Sequence, residues 1–176
     1  MAHYLRNQMC QFYYDQINKT NSDESDVDNF YNNTLSIYFP RTQPYGLEQE
    51  SRPLKDLGLT QKSDFTIRCI RNGQHKKVVI IECKRKALET QDAEWRTALD
   101  QAITYIKLIR TEKEQTASNP IHIIVAVGTH LRAYTHNQGA TDAVAFHLYP
   151  NELLELAKDE AKVHAVFQEM NRITQH

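Results

Sequence analysis

A mixed α/β domain, one sheet covered by helices, is the fold class that the sequence predicts. Three observations predict it. Residues 64–71 and 76–84 are rich in Ile, Val and Phe and flank Asn72-Gly73, so they read as consecutive strands. Residues 92–110 follow with helical spacing: Trp95, Ala98, Leu99, Ala102, Ile106 and Ile109 form one apolar stripe. Residues 121–128 are then a near-continuous apolar run, as a strand buried on both faces requires. Strand, helix and buried strand in that order build layers of helix on sheet. With 176 residues the chain suits a single domain over residues 1–176.

The other elements follow in order. Residues 2–19 read as an N-terminal helix. Residues 21–33, NSDESDVDNFYNN, are acidic, polar and poor in aliphatics, and read as a surface loop. Residues 35–39 and 46–52 are candidate strands. Pro120 closes the loop after the central helix. Residues 131–135 and 143–149 read as strands, and Asn151 as the cap of a last helix with the stripe Leu153, Leu156, Ala157, Val163, Phe167 and Met170.

Composition narrows the function. Net charge is −1, which weighs against a generally basic nucleic-acid binder, so any such surface must be local. Cys10, Cys69 and Cys83 have neither paired nor zinc-type spacing and read as buried thiols of an intracellular protein of cytoplasm or nucleus. No run is long enough to span a bilayer, and no phosphate-binding glycine loop is present. His122, His130, His136, His147 and His164 lack metal-ligand spacing, and Trp95 reads as core.

The chemistry concentrates on the hairpin, where register decides whether Asp64 and Glu82 can meet. A two-residue Asn72-Gly73 turn sets Asp64 opposite Ile81 and throws the carboxylates to opposite faces. A three-residue loop, Asn72-Gly73-Gln74, pairs Arg71 with His75 and sets Asp64 opposite Glu82. Only the second register gathers Phe65, Ile67, Cys69, Val79, Ile81 and Cys83 on one apolar face, so it is the one expected. Opposed Cβ atoms lie about 4.5–5.5 Å apart, and carboxylates that close repel unless a proton or a divalent cation intervenes. Oxygen ligands favour Mg²⁺ or Mn²⁺. The Cys83 carbonyl could add another oxygen, and Lys84 shares the face of Glu82. An exposed salt-bridge edge is the alternative reading of Glu-Cys-Lys taken alone.

Asp64 followed by Glu82-Cys83-Lys84 resembles the PD-(D/E)XK nuclease superfamily, with Ser63 in place of the usual proline. Gln101 and Tyr105 match the Gln-X-X-X-Tyr pattern that members often carry on the next helix, although an ordinary helix face would look the same. The stretch from IECKRK through WRTALDQAITY to VAVGT is similar to predicted nuclease domains of fungal proteins and, less closely, to the nuclease end of type I restriction subunits. The resemblance covers residues 46–134. It implies a restriction-endonuclease-like αβββαβ core and a Mg²⁺-dependent endonuclease. Asp64 and Glu82, with the Cys83 carbonyl, would hold metal; Lys84 would assist the nucleophile or transition state, and Gln101 would orient it. An upstream acid is also common in the family; Glu48 and Glu50 are the candidates, with Glu50 favoured. Lys84, Arg85, Lys86, Arg96 and Tyr105 would contact nucleic acid, DNA rather than RNA, with His75, Lys76 and Lys77 a further basic group. A homodimer would supply the two sites that double-strand cutting needs. A nuclease fold kept for binding nucleic acid or protein without turnover is the alternative. An RNA endonuclease of the cap-snatching kind, which would want a histidine ligand, is more remote.

Overall fold

The computed structural model describes residues 3–50, 62–111 and 120–175. Helix α1, Gln8–Ile17, starts at Asn7, whose side chain accepts from the Met9 and Cys10 amides. The acidic segment expected as a loop is instead helix α2, Glu24–Tyr38, and it absorbs the strand expected at residues 35–39. Asp23 and Asp26 form a reciprocal capping box that starts it, and Glu24 and Asp26 suit the positive end of the helix dipole. Val27, Phe30, Tyr31, Thr34, Leu35 and Tyr38 recur at helical intervals and are all buried. The polar composition of the other face concealed that period.

The strands are β1 Tyr45–Gln49, β2 Phe65–Arg71 and β3 Gln74–Lys84, followed by helix α3, Asp92–Ile109. Then come β4 Ile121–Val127, β5 His130–His136, β6 Val144–Ala145, β7 Leu154–Glu155 and helix α4, Glu160–Thr174. Residues 51 and 52 of the expected first strand lie outside the described residues. The strand expected at 143–149 shrinks to β6. Asn151 does not cap the last helix: it sits in a turn at φ 62°, and α4 begins after Asp159.

The sheet runs β1-β2-β3-β4-β5-β6, with β7 also paired to β5. β3 and β4 are parallel, the pairing that crossover helix α3 permits; the other pairs are antiparallel. One face packs on α1, α2 and α4 through Phe65, Ile67, Val79, Ile81 and Cys83. The other packs on α3 through Ile80, Ile123, Val125 and Val127. β4 is buried throughout, as its unbroken apolar sequence demands.

The hairpin turn corrects the expected loop. Asn72 and Gly73 form a two-residue turn with φ of 50° and 74°, and Arg71 pairs with Gln74. The extra residue lies inside β3: Arg68 pairs with Lys77 but Ile67 with Val79, which leaves Val78 as a β-bulge. Beyond the bulge Phe65 faces Ile81, so the register anticipated next to Asp64 and Glu82 is the one observed.

Candidate active site

β2 begins and β3 ends at the open end of the hairpin, and there the side chains of both faces meet. A cleft of about 320 Å³ is lined by Asp64, Glu82 and Lys84 from the hairpin, Gln101 from α3, Glu24 and Asp28 from α2, and Glu50 and Lys62. Backbone bonds fix its walls. The Glu50 amide donates to the Asp64 carbonyl at 2.8 Å, at a left-handed residue (φ 50°) that ends β1. The Cys83 amide donates to Asp64 Oδ2 at 2.7 Å, which clamps that carboxylate to β3. The Gly128 amide donates to the Lys84 carbonyl at 2.8 Å. Gly128 is required there: its φ is 56°, and a Cβ would come within 2.6 Å of the Lys86 Cα.

Five carboxylates and two lysines line the cleft. Glu82 is 3% exposed, and its Oε1 has no hydrogen-bond partner. Burial, and then the neighbouring Asp64 carboxylate, push its pKa up to about 9. The same two causes raise Asp28 to about 6, and burial also raises Glu24. Asp28 Oδ1 and Gln101 Oε1 are likewise buried acceptors without donors. Buried acceptors are ordinarily satisfied. Here three of them border one cleft, and without a cation to neutralise it Glu82 holds a proton at neutral pH.

Of the residues singled out from sequence, Asp64, Glu82, Lys84 and Gln101 converge, with Glu50 beside them. Glu48 does not: it pairs with Arg68 at 2.7 Å and borders a different cleft with His75. Glu50 makes an ion pair with Lys62 at 2.5 Å. The Cys83 side chain is wholly buried, as expected from its parity, and its amide is the group that contacts Asp64.

The basic run divides. Lys84 enters the cleft and Arg85 is exposed, whereas Lys86 donates to Asn18 Oδ1 at 2.7 Å. Arg96 is exposed on the first turns of α3. Tyr105 cannot present itself to a nucleic acid, because it is 0% exposed. Its hydroxyl lies 3.2 Å from Thr66 Oγ1, and the Lys77 ammonium sits 5.5 Å from its ring centre. Lys76 and Lys77 are buried in the turn half of the hairpin, away from the cleft. Glu24 and Asp28 were missed. They lie four residues apart on one face of α2, a signal readable only once that segment is recognised as a helix.

Among the described residues no helix is long and apolar enough to cross a membrane. Comparison with family models, with curated proteins and with solved structures finds no match to this chain.

Proposed function

We propose that the protein is a metal-dependent nuclease of the PD-(D/E)XK type, with a restriction-endonuclease-like core, that hydrolyses phosphodiester bonds in nucleic acid, DNA in the first instance. The observation that carries this reading is the meeting of Asp64 and Glu82 with Lys84 in an acidic cleft that holds unsatisfied buried oxygens. The donor set is hard oxygen, which suits Mg²⁺ or Mn²⁺ held by Asp64 and Glu82. When bound, such an ion supplies a water of lowered pKa and polarises the phosphoryl oxygen.

The chain's own groups do the rest. The Cys83 amide fixes one oxygen of Asp64 and leaves the other for ligation. Glu82, embedded in the sheet, cannot swing away. Lys84 shares its strand face, where an ammonium can hold the attacking water or offset charge on the phosphate. Gln101 Oε1 is an open acceptor for a water or a sugar hydroxyl. Arg85 and Arg96 are exposed cations able to hold flanking phosphates.

Cleavage of single- and double-stranded DNA and RNA, with Mg²⁺, Mn²⁺ or chelator, tests the reading. Activity should require the metal, and Lys84→Ala should lower it about 10²–10³-fold. Equal behaviour of wild type and Lys84→Ala in every condition would exclude catalysis. The net charge of −1 favours the second reading, a nuclease fold that binds without turnover. Under that reading the same assay shows retention of nucleic acid and no cleavage.

A further inference from the structure

We propose that Asp28, Asp64 and Cys83 form a second cation site, for a thiophilic divalent ion such as Zn²⁺, sharing Asp64 with the proposed catalytic centre. One carboxylate oxygen from each aspartate and Cys83 Sγ all lie within 4.8 Å of one another. Ligand atoms around four-coordinate zinc stand roughly 3–4 Å apart, given Zn–S of about 2.3 Å and Zn–O of about 2.0–2.2 Å. Turning the two carboxylates inward supplies the contraction.

One further group points to a ligand here. Tyr31, one turn beyond Asp28 on α2, is wholly buried, its hydroxyl is unpartnered, and it interacts electrostatically with Cys83.

The Cys83 thiol is buried, its Sγ lies within 4.8 Å of an Asp28 carboxylate oxygen, and it carries its proton when no metal is bound. Coordination replaces that proton, which passes to solvent, and the thiolate and two carboxylates then face the dication. Thiolate selects against Mg²⁺, whose ligands are hard oxygens. Because Asp64 is common to both sites, Zn²⁺ withdraws it from a Mg²⁺ centre. That consequence, though not the binding itself, rests on the nuclease reading. It makes the protein one that thiophilic ions switch off.

Co²⁺ titration of the full chain tests the site without any substrate. A thiolate-to-cobalt charge-transfer band should grow to one equivalent, be displaced by Zn²⁺, and vanish in Cys83→Ser. By calorimetry, Asp28→Asn should weaken Zn²⁺ at least tenfold, a measurement that decides the matter if Cys83→Ser does not fold. No band, a band that persists in Cys83→Ser, or unchanged Zn²⁺ affinity in Asp28→Asn overturns the proposal. Absence of cleavage with every metal while the band stands overturns the nuclease reading and leaves this site intact.

Discussion

The two ends of the β2–β3 hairpin obey different rules. At the closed end, Asn72 and Gly73 make the tight turn that their sequence favours, and Arg71 faces Gln74. Extended unchanged to the open end, that register would set Asp64 opposite Ile81 and split the acidic pair. The bulge at Val78 shifts the pairing by one residue, and the open end assembles Asp64 beside Glu82. Turn chemistry therefore fixes the local fold, and a single unpaired residue inside the strand fixes the site. The bulge also places Val78 and Val79 together in the core against α1, α2 and α4. Burial of both valines, about 1.5–3 kcal/mol each, holds the shift in place.

The largest effect should come from breaking the pair that the open end assembles: Glu82→Ala should cost at least about 10²-fold in cleavage. Deleting Val78, by contrast, removes only the unpaired residue and leaves Ile67 facing Val79 and Asp64 facing Glu82, so cleavage kinetics on that variant should stay close to those of wild type. A folded Val78 deletion that has lost cleavage would show that the bulge does more than set the register.

Next comes the pH dependence of the open end in metal-free protein. Glu82 has a folded pKa near 9 against an ordinary 4.5, so the folded state binds the extra proton. Stability is therefore highest below about pH 4.5 for this group and falls as pH rises toward 9, by on the order of a few kcal/mol. Denaturant melts across that range should show the slope, and Glu82→Gln should flatten it. Gly128→Ala, which crowds Lys86 behind Lys84, should cost about 1–3 kcal/mol by the same melts and lower activity with stability. Smallest is the closed end: Gly73→Ala, at φ 74°, should cost about 1 kcal/mol and leave cleavage unchanged. A cleavage defect there would tie the turn to the site after all.

What could be read in the sequence follows from which signals are local. β4 and α3 were legible because burial imposes an apolar pattern that charge does not interrupt, and β3 because Val78, Val79, Ile80 and Ile81 form an apolar run between its charged ends. α2 was not, because its exposed face carries Asp and Asn while its buried face sets only two aliphatics, Val27 and Leu35, among Phe30, Tyr31, Thr34 and Tyr38. The meeting of Asp64 and Glu82 was anticipated from the apolar face they leave behind, but its cause was misplaced. A bulge has no sequence mark comparable to Asn-Gly. Glu24 and Asp28 were lost with α2. Tyr105 was placed on the right helix, but its spacing from Gln101 does not reveal that it points into the core.

Everything proposed for the open end turns on one divalent cation between two carboxylates. A crystal grown with Mn²⁺ and measured for anomalous scattering tests that most directly. The expected result is a manganese peak within coordination distance of Asp64 and Glu82 on one face of the hairpin. Well-ordered Asp64 and Glu82 with the manganese elsewhere, or the two carboxylates on opposite faces, would contradict it.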